Sequence, residues 1–321
     1  MLVDHIRAIV LAALAVALAA APASAADKLR VGKASPTSDV MLPIDIGVTA
    51  GIFKKHDLDV EITTFTGGAK LHQAMAADAL DIGVGAGTEL ALVAKGAPEL
   101  AIADVAGPVL FIGIGVGADS KARSADDLKG AKIGVSSNGS LTYWLAQELA
   151  RVKGWGPDGV TPVATGNTAA SYVAAVKTHE IDAFISTTSL SFQLEEKGEG
   201  RLLLPVSQYT GNMAAGTIFA TNSIIARNPA AIRRFLAAWF DTIEWMRQHR
   251  TETVRMTATL TGFSEEVQGK EYDLTMPMFT RDGRFDAESL ATLKRSFADL
   301  KILDTPPDMA KLYTEEFLPK R

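Results

Sequence analysis

The chain has 321 residues, 47% of them hydrophobic, a formal net charge of −5 and no cysteine. That balance describes a globular protein with room for two lobes. It excludes disulfides, a lipid-modified N-terminal cysteine and the basic surface that nucleic acid requires.

Residues 1–25 read as a secretory signal peptide. Arg7 lies in a short basic region, an apolar run extends from Ala8 to Ala21, and Ala23-Ser24-Ala25 offers small residues for cleavage after Ala25. The run is too short to span a bilayer, and nothing later in the chain is long and apolar enough. An exported, periplasmic protein that is not a lipoprotein is expected.

The rest of the chain says nearly the same thing twice. Lys28 to Ser35, an apolar strand running into small polar residues, returns as Gly130 to Ser137. Thr66-Gly67-Gly68 returns as Thr165-Gly166-Asn167, each ahead of an Ala-rich, helix-like run. Leu80-Asp81-Ile82-Gly83-Val84 returns as Ile181-Asp182-Ala183-Phe184-Ile185, and the loops that follow are Gly85 to Glu89 and Ser186 to Ser189. Segments that keep both order and spacing predict a duplicated α/β lobe rather than a solenoid.

Short apolar strands alternate with helical segments to about Leu204, the pattern of parallel sheets with crossover helices. The apolar stretches Ile112 to Gly117 and Ala214 to Phe219 flank the second copy and are expected to cross between lobes. The predicted division is therefore 26–112 plus 218–321 for lobe 1 and 113–217 for lobe 2, with hinge strands near 112–117 and 214–220. Ser124 with Asp127 forms a capping-box pattern. From Leu141 to Lys153 a helix is predicted with Leu141, Leu145 and Leu149 buried and Gln147, Glu148 and Arg151 on the wet face.

Beyond Ala220 the pattern turns helical. Asn228 before Pro229 suits a helix start, and Ile232, Phe235, Leu236, Trp239, Phe240, Ile243 and Met246 make one apolar face. A second long helix begins near Asp286, with Leu290, Leu293, Phe297 and Leu300 on its buried side. This part has no echo in the repeat and is expected to complete the first lobe.

The strongest binding signal is Val135 to Thr142, where a strand ends, a polar turn follows and a helix starts. Unpaired N–H groups of a helix's first turn favour an anion without any lysine or arginine. Ser137, Ser140 and Thr142 add hydroxyls, against the plainer reading of a serine as an N-cap. Glu89 is either a solvated helix-start glutamate or a partner for a ligand ammonium group. Enzyme signatures are weak: the five histidines lack metal-ligand spacing, and the adjacent acidic pairs point to different sides of a helix.

With these residues in view, the chain resembles the periplasmic substrate-binding proteins of ABC importers of the nitrate/sulfonate/taurine type. The resemblance is carried by Gly51-Ile52-Phe53-Lys54-Lys55 with Leu58-Asp59-Val60-Glu61, then Leu80-Asp81-Ile82-Gly83, then Asp127 to Val135, Glu180-Ile181-Asp182-Ala183 and Glu315-Glu316-Phe317-Leu318-Pro319. It implies an α/β, two-lobe type II periplasmic binding protein fold, each lobe a doubly wound sheet flanked by helices, with ligand in the cleft between them. It implies ligand contacts from Ser35 and Thr37, from Gly67 and Gly68, from Gly87 and Thr88, and from Ser137, Asn138, Gly139, Ser140 and Thr142. Thr187, in the diverged loop of the second copy, is expected to face the same cleft. These loops hold no arginine, and Lys70 is the one lysine nearby.

The expected function is capture of a small organic anion, such as a sulfonate, taurine or a carboxylate, and its delivery to a membrane permease and ATPase complex. No cofactor or metal, a monomer and no enzymatic activity are expected. The alternatives are an enzyme on the same fold acting on a pyrimidine or menaquinone-type precursor, and a sensory receptor without transport.

Overall fold

The computed structural model describes residues 26–320, apart from Gly139 and Asn167; the expected signal segment lies outside the described residues. Among the described residues, ten strands form two five-stranded sheets. The first contains β1 (Asp27–Lys33), β2 (Leu58–Thr64), β3 (Ile82–Gly85) and β4 (Glu99–Ala106). The second is built from β5 (Ile112–Gly117), β6 (Lys132–Val135), β7 (Thr161–Ala164), β8 (Ala183–Thr187) and β9 (Gly200–Pro205). The chain then returns to the first sheet as β10 (Gly216–Thr221).

The strand orders are β2-β1-β3-β10-β4 and β7-β6-β8-β5-β9. In each sheet the first three strands are parallel and the fourth is antiparallel to both neighbours. The duplicated halves therefore share one topology, and each sheet is mixed rather than wholly parallel. In both, the antiparallel strand is the first one made after the chain crosses over. Residues 112–117 and 216–221 are thus interior strands, bonded along both edges, and the polypeptide that passes between sheets is 107–111 and 206–215.

The repeated acidic residue has a structural role in both copies. Asp81 Oδ2 accepts the Arg30 N–H at 2.9 Å while the Asp81 N–H donates to the Arg30 carbonyl at 2.8 Å. Asp182 makes the same pair of bonds with Lys132, both at 2.8 Å. Each carboxylate thereby fixes where the central strand of its lobe begins. Asp81 is buried and also holds Arg30 and Arg227, whose charged ends reach solvent. We expect Asp81→Ala to destabilise by about 2 kcal/mol, because a backbone donor loses its acceptor while the arginines can turn outward. Asp182→Ala, with no arginine involved, is expected to cost about 1 kcal/mol. Urea unfolding of the two variants checks that ranking.

Helices cover the sheets. In the first lobe α1 (Gly68–Ala76) follows β2; in the second, α2 (Leu141–Val152) follows β6, α3 (Ala169–Lys177) follows β7 and α4 (Thr188–Glu196) follows β8. The C-terminal part supplies α5 (Pro229–Gln248), α6 (Arg250–Thr261), α7 (Glu265–Thr275) and α8 (Ala287–Asp299). Asn228 caps α5 by accepting the Ala231 N–H at 3.1 Å, and all seven apolar residues of its predicted face are buried. Phe235 on that face packs against Phe53 with ring centroids 5.3 Å apart. The predicted capping box at Ser124 and Asp127 is present.

The C-terminal helices touch both lobes, not the first alone. At one end of the seam the Thr188 hydroxyl donates to both Glu271 carboxylate oxygens, at 2.7 and 2.8 Å, and Ser264 donates to Glu196 at 2.8 Å. At the other end Arg295 meets Glu148 at 2.6 Å and the Trp144 indole donates to Asp299 at 3.0 Å. Glu148 is for this reason buried rather than on the wet face of α2: α8 lies over it, and Arg151 and Arg295 neutralise it. Helical periodicity alone does not reveal that second layer.

Candidate functional site

Between the two sheets lies a cavity of about 400 Å³. Its polar lining is entirely hydroxyl: Ser35 and Thr37 from the loop after β1, Ser136 and Thr142 from the β6–α2 junction, and Ser186 and Thr187 at the end of β8. Its apolar lining is Phe111 and Ile112 where the chain crosses, Tyr172 of α3, Ile185 of β8, Leu190 of α4 and Phe263 between α6 and α7. Among the described residues no histidine, carboxylate, lysine or arginine lines it.

Local sequence explains the hydroxyl cluster. Thr142, in the first turn of α2, has its Oγ1 within hydrogen-bonding distance of the Ser136 N–H (2.9 Å), the Ser136 Oγ (3.0 Å) and the Ser140 Oγ (2.9 Å). Ser140 caps α2 by accepting the Tyr143 N–H at 3.2 Å. Thr187 caps α4 in the same way, accepting the Leu190 N–H at 3.3 Å. Two helices of 12 and 9 residues therefore begin at the cavity, with their positive dipole ends toward it. The floor is fixed by Tyr172, whose hydroxyl donates to the Ile185 carbonyl at 3.1 Å and whose ring stacks on Phe184. Burial pushes its phenol up to about 12, so it stays neutral.

Of the residues proposed from sequence, Ser35, Thr37, Thr142 and Thr187 meet at this cavity. Ser140 stands one hydrogen bond behind Thr142. Ser137 and Asn138 are exposed on the intervening turn, and Gly139 lies outside the described residues. Gly67 and Gly68 sit at the start of α1, away from the cavity lining, and Lys70 donates to Thr66 at 3.1 Å from an exposed position. Gly87 is packed beneath the Ala214 carbonyl and Leu293, with Thr88 half-buried beside it. Phe111, Tyr172 and Phe263 were not expected: each is a single aromatic in its segment, with no pattern that marks it as cavity-facing.

Glu89 faces a different partner. Its carboxylate lies in a notch against Gly68 and Gly85, where a Cβ on either glycine would collide with it. His72 Nε2 meets Glu89 Oε2 at 2.8 Å, and His72 Nδ1 is bonded to buried Glu99. Burial alone would lower the His72 pKa, but the two carboxylates outweigh it together and push it up to about 9. The imidazole is thus a cation that donates from both nitrogens. Because the folded value lies above the unfolded 6.5, this stabilisation is complete below pH 6.5 and is lost as pH rises through 9. Wild-type stability should fall by about 2–3 kcal/mol across that interval relative to His72→Gln, measured by urea unfolding at a series of pH values.

A second buried acidic pair lies on the seam. Buried Asp39 lies beside the carboxyl of Glu271, the acceptor of the Thr188 hydroxyl. Burial raises both carboxyls, Asp39 to about 6. A pair that keeps a proton in this way avoids two full negative charges side by side, and Glu271 reaches the second lobe through the Thr188 hydroxyl.

Two similar lobes, joined by two crossings and enclosing a cavity, define a type II periplasmic-binding-protein fold. The chain belongs to the NMT1/THI5-like family, whose model matches residues 40–253. A protein of Brucella abortus (strain 2308) that carries a provisional binding-protein name is 28% identical over 213 residues, 65% of this chain and 64% of that relative's length. The aliphatic sulphonate-binding protein SsuA of Escherichia coli superposes with a TM-score of 0.74 at 19% identity, covering 89% of this chain and 92% of its own. A 4-amino-5-hydroxymethyl-2-methylpyrimidine phosphate synthase of Saccharomyces cerevisiae is 25% identical over 301 residues, 86% of this chain and 84% of the synthase. No helix among the described residues is long and apolar enough to cross a membrane.

Proposed function

We propose that this protein is the exported solute-binding component of an ABC importer, and that it captures a small organic anion in the cavity between its lobes and delivers it to the permease. The observation that carries this reading is a cavity lined by hydroxyls from both lobes, with two helix starts of the second lobe at its wall. A single anion touching both lobes favours the closed arrangement over the open one, and we assign the pivots to residues 107–111 and 206–215. The sulphonate specificity of the E. coli structural neighbour and the signal-like residues 1–25 support an anionic solute met outside the cytoplasm.

Thermal unfolding in the presence of sulfonates, carboxylates, nitrate and pyrimidines tests the proposal. A solute at a hundredfold excess over its Kd should stabilise by about 2.7 kcal/mol. No shift with any of them counts against a receptor.

The enzyme reading is favoured by the yeast synthase relative. Against it stands the lining itself: hydroxyls without a neighbouring histidine or carboxylate have no base to activate them. Turnover of a candidate substrate by the purified protein would reverse the order of the two readings.

A further inference from the structure

The hydroxyls account for a ligand's head group but not for the other half of the cavity wall. Phe111, Phe263 and Tyr172 bring three aromatic rings to it, from a crossing segment, from the α6–α7 loop and from α3. Phe111 and Phe263 are only half-buried, so part of each ring is open to a partner. An apolar cavity of about 150 Å³ suffices for benzene. At about 400 Å³ this one has space for a ring together with its head group.

We propose that the solute is an organic monoanion with an uncharged aromatic body, and that the cavity selects against zwitterions and small hydrated oxyanions. This rests on reading the cavity as the solute site. An ammonium group would lose its water with no carboxylate to receive it, because Glu89 is turned toward His72 and none of the described acidic residues lines the wall. A doubly charged oxyanion would find no lysine or arginine among the described residues of the wall. A nitrate-sized ion would leave the aromatic walls facing water, whereas a ring held against them removes apolar surface from water on both sides. The head group then meets the hydroxyls of Thr142 and Thr187, and the body occupies the space bounded by Phe111 and Phe263.

Calorimetric titration with benzenesulfonate, methanesulfonate, taurine and sulfate tests this. Benzenesulfonate should bind about tenfold or more tightly than methanesulfonate, with taurine and sulfate weaker still. In Phe263→Ala the ratio of benzenesulfonate to methanesulfonate affinity should fall toward one. If methanesulfonate or taurine binds wild-type protein as tightly as benzenesulfonate, the aromatic assignment is wrong while the receptor reading stands. If none of the four binds, the aromatic assignment falls, and the receptor reading is decided separately by the wider thermal panel of carboxylates, nitrate and pyrimidines.

Discussion

Replacing His72 with alanine is expected to cost about 3–5 kcal/mol of stability, because it strands the Glu89 and Glu99 carboxylates in a buried space with no cation between them. The loss should exceed any packing effect of the missing ring, which meets Phe219 edge-on at 4.8 Å between centroids. Adding Glu89→Gln and Glu99→Gln to the same chain should recover part of it, since two neutral amides need no counter-charge. Urea unfolding of the single and triple variants separates the two contributions. A loss below about 1 kcal/mol for His72→Ala would mean that the histidine is not the cation the geometry requires.

Ser140→Asp is expected to abolish anion binding while leaving the fold intact. Aspartate is as good an N-cap as serine, so the bond to the Tyr143 N–H can be kept. The new charge sits one hydrogen bond from Thr142 at the cavity wall. Two like charges about 5–6 Å apart at an effective dielectric near 20 repel by about 3 kcal/mol, roughly a hundredfold in affinity. Calorimetry with the tightest anion of the panel reads this directly. Unchanged affinity would place the anion away from the start of α2.

The repeat made the two-lobe architecture legible because its matching positions are scaffold. Asp81 and Asp182 tie the central strands in the same way, and Gly32 and Gly134 leave space for Leu80 and Ile181, where a Cβ would collide. The antiparallel strand in each sheet was not legible, because β10 and β5 each reach their sheet only after the chain has crossed over. The same limit applies to charges. Glu148 reads as a surface residue until α8 brings Arg295 over it, and Glu89 reads as either a solvated glutamate or a ligand contact until α1 places His72 beside it.

The candidate site was legible where a strand runs directly into a helix. At Thr142 and Thr187 the hydroxyl, the helix start and the strand end are local features, so their meeting follows from the fold. The aromatic side of the cavity is assembled from distant segments, and Phe263 lies in the part of the chain that has no counterpart in the repeat. The divergence of the two copies, Gly85 to Glu89 against Ser186 to Ser189, now has a physical correlate. The first loop is occupied with its own His72–Glu89 bond, while the second lends Ser186 and Thr187 to the cavity.

A crystal structure of the protein grown with benzenesulfonate tests the central claim most directly. The account predicts one molecule between the lobes, its sulfonate oxygens on the hydroxyls of Thr142 and Thr187 and its ring between Phe111 and Phe263. An empty cavity, or a ligand held by one lobe alone, would contradict it.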